Sequence, residues 1–339
     1  MKSTVLVTIP AGDVKDTFLT PDVKEYLEEN FNVKYNDLGR TFTQDEYKAE
    51  LLDTDFVLGG WGSPQLNEYV LDGNTRFKML AYTGGSVADS TTPAVWEKGI
   101  RVSGGNELFA ESVAEATITY IIMALRSIYD DVYNIKQGDW HGKDVKSTRG
   151  ILDREIGIIG CGAVARHVMR LLQPFRCSFK VAADYTVDEE YLKSMNARQV
   201  TVEEVFSTCD IVSLHLSLTP ETRGMLGGEL FGMMPKDSVF VNTARGAIIR
   251  ESEMIEVLKS RPDIQTVLDV FEKEPLPLDS ALRSLPNVYC IPHRGGPTVD
   301  RRRYIGRAMV DEMLRFEKGE PLKYEITAAA ASRMTTRKK

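Results

Sequence analysis

Short apolar runs alternate with amphipathic stretches along almost the whole chain, a pattern that predicts parallel strands buried on both faces and separated by helices. From residue 156 onward, the runs 156–159, 179–183, 211–216, 239–241, 266–270 and 288–291 read as six strands, the count of a complete doubly wound dinucleotide-binding sheet. Before them, 5–9, 33–35, 56–58, 79–82 and 101–102 predict a second, smaller α/β unit of flavodoxin-like type, which lacks a glycine-rich phosphate turn and is therefore assigned to substrate. Several helices announce their starts. Thr20-Pro21 is one, and Thr43-Gln44-Asp45-Glu46 and Thr201-Val202-Glu203-Glu204 fit capping boxes, in which a hydroxyl and a carboxylate satisfy first-turn amides. Pro174 closes the helix that follows the glycine turn. Residues 112–126 are apolar on nearly every face and predict a buried helix bridging the two units. Residues 299–316 place apolar side chains on one face and predict a terminal helix that has crossed back to the first unit.

A chain of 339 residues is too long for one ordinary core, so two domains are expected. The net charge of −7 leaves no excess of Lys and Arg to neutralise phosphates, which argues against a nucleic-acid partner. The one basic cluster, Arg301-Arg302-Arg303, reads as a solvated helix face. Cys161, Cys177, Cys209 and Cys290 form no CxxC pair and read as buried thiols in a reducing compartment, and no metal site is predicted. The first ten residues are too short an apolar run for a signal peptide, and no stretch is read as long enough to span a membrane, so a cytoplasmic protein is expected.

The first strand of the larger unit empties into Gly160-Cys161-Gly162-Ala163-Val164-Ala165, a GxGxxA turn that opens a helix. Its glycines allow a tight turn and close approach to a pyrophosphate, and the amides of Ala163 and Val164 point the positive end of the helix at the anion. The second strand ends at Asp184, a carboxylate placed to accept hydrogen bonds from an adenine ribose and to repel a 2′-phosphate, so NAD (NADH) is expected over NADP. The alternative is an exposed aspartate capping a turn. Arg245 follows Asn242-Thr243-Ala244 at the carboxyl end of a strand, where its planar fork can hold a carboxylate; alternatively it makes a structural ion pair. His293, after the sixth strand, can pass a proton to or from a substrate oxygen. Glu274, on the loop after the fifth strand, can hold that imidazole in one tautomer and stabilise its protonated form. His215 ends the third strand as either a cofactor contact or a satisfied core histidine. His167 reads as a surface residue and His141 as a loop or packing residue. Trp61, in Gly59-Gly60-Trp61-Gly62, either shapes a substrate pocket or belongs to the domain core.

These residues sit in stretches that resemble the D-isomer-specific 2-hydroxyacid dehydrogenases: KMLAYTGGSV, ESVAEATI, WHGKDV with GILDREIGIIGCGAVAR, LHLSLTPETRGML, VNTARGAII, LDVFEKEPLP, LPNVYCIPHRGG and FEKGEPL. Arg245 and Glu274 lie 29 positions apart, as the family's arginine and glutamate typically do. The resemblance implies a Rossmann NAD domain, 106–294, inserted into a discontinuous substrate domain, 1–105 with 295–329. It leaves 330–339 as a disordered tail. The resemblance also implies a homodimer formed through the NAD domain, and a small 2-oxo or 2-hydroxy acid as substrate. By the same resemblance Arg245 would anchor the 2-oxo acid and polarise its carbonyl, His293 would be the general acid of reduction and Glu274 its partner. Asp269 would orient the nicotinamide carboxamide, Thr243 and Ala244 would line the cofactor, and amides of Gly84, Gly85 and Ser86 would receive the substrate carboxylate. Part of ESVAE, Ser112 to Glu115, also fits a capping box. Ala88, Ser217 and Ala165 depart from the family pattern, where an aspartate, a proline and a glycine are usual. The alternatives are a nucleotide-sensing, non-enzymatic relative on the same fold and a formate- or phosphite-type dehydrogenase.

Overall fold

The computed structural model describes residues 2–140 and 148–336, so His141 lies outside the described residues. The chain divides into two compact units, Met1–Phe109 with Pro297–Lys339, and Ala110–Gly296.

In the first unit, β1 (Thr4–Val7), β2 (Asn32–Tyr35), β3 (Phe56–Gly59), β4 (Met79–Tyr82) and β5 (Arg101–Gly104) form a parallel sheet in the order β2-β1-β3-β4-β5. That is the flavodoxin-like order. Alternation along each strand feeds two cores. Val5, Val7 and Leu58 face Met309, Val310 and Met313 of the helix Val299–Glu317, while Leu6, Val57 and Leu80 face Tyr47, Leu71 and Val95. Each of those fully buried side chains contributes about 1.5–3 kcal/mol.

Two expectations are corrected here. Residues 330–336 do not form a disordered tail: Ala328–Ala331 is a helical turn, Ala331 is buried, and Met334 packs against the core that holds Val87 and Ile326. The apolar residues Ala331 and Met334, interspersed among polar ones, supply that anchorage. Nor do all three clustered arginines face solvent. Arg302 turns inward, its Nε donating to the Pro297 carbonyl at 3.2 Å and its guanidinium lying 5.1 Å from the Trp61 ring centroid.

In the second unit, β6 (Glu155–Ile159), β7 (Ser178–Ala182), β8 (Ala197–Gln199), β9 (Ile211–Leu214), β10 (Val239–Asn242), β11 (Gln265–Leu268) and β12 (Val288–Cys290) form a seven-stranded parallel sheet. Its order, β12-β11-β10-β9-β6-β7-β8, is a doubly wound sheet with one strand added at the end. The strand that the apolar pattern does not predict is β8, whose Ala-Arg-Gln sequence at the sheet edge buries no face.

The helix Asn106–Leu125 begins earlier than the apolar run suggests, which places Ser112 in its buried interior and removes the capping-box reading of ESVAE. It is also long and apolar enough to cross a membrane by length and composition, contrary to the expectation that no stretch is. Its apolar side chains are instead taken up in the protein core, where Ala114, Ile121, Ala124 and Leu125 pack with Ile156, Ile158 and Val241. Three of the four cysteines are buried as expected, but Cys290 is exposed because β12 is an edge strand and Cys290 is its last residue.

Candidate active site

Every strand of the larger sheet runs the same way, so one carboxyl edge collects the residues that follow β6, β7, β9, β10, β11 and β12. Gly160 leaves β6 at φ 92°, and a Cβ there would meet the His215 carbonyl at 2.9 Å, so only glycine makes this turn. A Cβ on Gly162 would meet nothing within 4 Å. Among the described residues, the amides of Cys161, Gly162, Ala163 and Val164 have no internal acceptor. This open turn with unspent donors at the start of the helix Ala163–Leu172 fits a pyrophosphate. Asp184, after β7, is exposed at the same edge. Tyr185 beside it donates to the Cys161 carbonyl at 2.9 Å, which ties the second strand's loop to the glycine turn.

His215 is held by Ser213, with 2.9 Å between the Ser213 hydroxyl and Nε2. Burial pushes its imidazole down to about 3, so it is neutral at working pH. On the next strand, Asn242 Oδ1 accepts from the Ala244 amide at 2.9 Å and Asn242 Nδ2 donates to the Arg245 carbonyl at 3.1 Å. That bracket fixes the turn from which Arg245 projects, and Thr243 is held by a 2.9 Å hydroxyl contact with Thr117. Gly246 closes the turn against the backbone of Phe271, where a Cβ would sit 1.9 Å from the carbonyl carbon.

His293 and Glu274 meet, His293 Nδ1 lying 2.8 Å from Glu274 Oε2, while Glu274 Oε1 accepts from the Phe271 amide at 3.1 Å. His293 has φ 52°, a left-handed conformation uncommon for a residue with a Cβ. Asp269 holds it there. Its carbonyl accepts from the His293 amide at 2.9 Å, and its carboxylate accepts from the amides of Arg294 at 2.7 Å and Gly295 at 2.8 Å. Tyr120, from the long apolar helix, adds a fourth bond to Asp269 at 3.3 Å, and burial followed by that carboxylate pushes the phenol's pKa up. Pattern reading passes over Asn242, Thr117 and Tyr120. Their signal is there in retrospect: a polar residue ending an apolar strand, and a Thr and a Tyr three residues apart on an otherwise apolar helix.

In the first unit, the loop after β4 carries Gly84, Gly85 and Ser86, whose amides have no internal acceptor among the described residues. Trp61 is neither fully buried nor free. It stands edge-on to Phe18 at 5.6 Å and to Phe109 at 5.7 Å, and a Cβ on Gly85 would touch that same Phe109. His167 sits beside Arg170, 3.0 Å from Nδ1 to the guanidinium.

The family model for the NAD-binding domain of D-isomer specific 2-hydroxyacid dehydrogenases matches residues 118–295, just over half of the chain. Over 317 residues the chain is 29% identical to the D-3-phosphoglycerate dehydrogenase of Methanocaldococcus jannaschii; the match covers 93% of this chain and 58% of that one, so it spans little more than half of the relative's length. It is 26% identical over 298 residues to the glyoxylate/hydroxypyruvate reductase B of Serratia proteamaculans, covering 86% of this chain and 90% of that one. Among solved structures, D-mandelate dehydrogenase of Rhodotorula graminis superposes with a TM-score of 0.81 at 21% identity, covering 96% of this chain and 98% of that one. With its glycine turn fitted to NAD and the family model spanning that turn and its strands, the chain belongs to the D-isomer specific 2-hydroxyacid dehydrogenases, a family of NAD-binding oxidoreductases.

Proposed function

We propose that the protein interconverts a 2-oxo acid and a D-2-hydroxy acid, with His293 as general acid in reduction and general base in oxidation. The observation that carries this reading is the 2.8 Å bond between His293 Nδ1 and Glu274 Oε2. With Nδ1–H donated to the carboxylate, Nε2 is the nitrogen that exchanges a proton with a substrate oxygen. Glu274 fixes the tautomer and balances the imidazolium, and Asp269 keeps the turn bearing His293 in its left-handed shape. NAD, when bound, supplies or accepts the hydride at the substrate C2. Arg245 polarises the 2-oxo group and holds it in the plane its fork defines, and the unpaired amides of Gly84, Gly85 and Ser86 take the carboxylate. Asp184 selects NADH by repelling a 2′-phosphate.

Two further expectations belong to the same proposal. The exposed Ile128, Tyr129, Val132, Tyr133 and Ile135 on the helix Ile128–Lys136 support a homodimer formed through the cofactor unit. Buried free thiols at Cys161, Cys177 and Cys209 suit a reducing, cytoplasmic setting.

The test is oxidation of NADH and of NADPH by the purified protein across glyoxylate, hydroxypyruvate, pyruvate, phenylpyruvate and branched-chain 2-oxo acids. Turnover on at least one acid with NADH, and much weaker turnover with NADPH, is expected. NADH binding without turnover on any of them would overturn the enzyme reading in favour of a nucleotide-sensing protein.

A further inference from the structure

We propose that the segment 326–336 positions the loop that receives the substrate carboxylate, acting as a brace on residues 84–89. The inference rests on the reading that the amides of Gly84, Gly85 and Ser86 bind that carboxylate. Amide donors select an anion only while the backbone holds them convergent, and this loop has little to hold itself. It contains two adjacent glycines, and its short-range bonds include Ser86 Oγ accepting from the Ala88 amide at 3.3 Å and Val87 O accepting from the Ser90 amide at 2.9 Å and the Thr91 hydroxyl at 2.9 Å.

Further support comes from the far end of the chain. Ser86 Oγ donates its one proton to the Thr335 carbonyl at 2.8 Å, and Thr336 Oγ1 donates to Asp89 Oδ1 at 2.6 Å. Val87, between those two contacts, is fully buried in the same apolar cluster as Ile326 and Ala331. The segment is itself anchored, since the Ile326 amide donates to Val102 O at 2.8 Å and Trp96 Nε1 donates to Ile326 O at 2.9 Å. Two consequences follow for the anion site. The Ser86 hydroxyl proton is already given to the brace, so the loop presents main-chain amides as its donors. Asp89, a carboxylate close in sequence to those amides, is tied to Thr336.

The experiment compares the full chain with Thr336→Val, Thr336→Ser and a chain ending at residue 331, reading KM for the best 2-oxo acid, kcat, the NADH Kd and hydrogen exchange at amides 84–88. The expected result for the shortened chain is faster exchange in the loop and a rise in KM of roughly tenfold, as loss of two hydrogen bonds implies, with the NADH Kd unchanged. Thr336→Val should move both readouts part of the way and Thr336→Ser should restore them, which a general loss of stability would not do. Unchanged exchange and KM in the shortened chain would overturn the proposal, and so would a fall in KM, which would mark the segment as a block. If the full chain turns over no 2-oxo acid, the enzyme reading fails on its own, and the exchange comparison alone supports or overturns the brace.

Discussion

At the carboxyl edge of the smaller sheet, β3 and β4 run out into Gly59-Gly60 and Gly84-Gly85, and what the β4 loop offers a ligand is main-chain amides. At the same edge of the larger sheet the strands run out into Asp184, His215, Arg245, Asp269 and His293, and what they offer is side chains with charges and protons. The two edges are held by different means. Three of the larger unit's groups are clamped from within that unit: the Arg245 turn by Asn242, the His293 turn by Asp269 and His215 by Ser213. The amide loop of the smaller unit leans on a segment remote in sequence. Damage to the larger sheet's edge should therefore remove one step of the reaction, while damage to the amide loop of the smaller sheet should blur recognition of the acid.

The largest effects are expected at the edge of the larger sheet, from Gly160→Ala and Arg245→Lys. An alanine at position 160 must adopt φ 92° with its Cβ 2.9 Å from the His215 carbonyl, a strain of about 1–3 kcal/mol. NADH affinity should fall roughly tenfold to a hundredfold, measured by fluorescence titration; native affinity would mean the turn is not the phosphate site. Arg245→Lys keeps the charge and loses the fork, so kcat/KM for the 2-oxo acid should fall by roughly a hundredfold while the NADH Kd holds. Near-normal kinetics would remove Arg245 from the site.

Smaller effects sharpen the account of the cofactor edge. Asp184→Asn should narrow the preference for NADH over NADPH by about fivefold, since a carboxylate some 4 Å from a phosphate costs on the order of 1 kcal/mol even when well solvated. An unchanged ratio would place the selectivity elsewhere. His215, held at about 3 in the fold against its ordinary 6.5, takes up a proton in the unfolded chain before it does in the folded one. Its contribution to stability is complete above about pH 6.5 and is lost as the pH falls toward 3, at no more than about 1.4 kcal/mol per pH unit. Urea unfolding at pH 7.5 and at pH 5 should differ by up to roughly 2 kcal/mol from this group. His215→Asn should shrink that difference, and the same difference in the variant would show that other groups set it.

What could be read from the chain follows the same division. Buried parallel strands are nearly continuous apolar runs, so eleven of the twelve strands left a mark, and the residues ending them were visible because a charged or glycine residue follows an apolar run. The edge strand β8 left none, because only Ala197 of Ala197–Gln199 reaches the core, and only in part. The start of the long helix was misplaced because Ser112 and Glu115 have the spacing of a cap, whereas the turn before them interrupts its apolar residues Leu108, Phe109 and Ala110 with Asn106, Glu107 and Glu111. The contacts remote in sequence were illegible for a different reason. Asp269 and Tyr120 are 149 residues apart, and Ser86 and Thr335 are 249 apart, so nothing local in the sequence couples them.

The most direct test of the central claim is His293→Ala, with kcat on the best 2-oxo acid and the NADH Kd measured on the same preparation. A proton-transfer group contributes about 10²–10⁴-fold, so kcat should fall by that order while the Kd stays where it was. A variant that turns over within a few-fold of the parent, or one that loses NADH in step with its activity, would contradict the assignment of His293 as the acid.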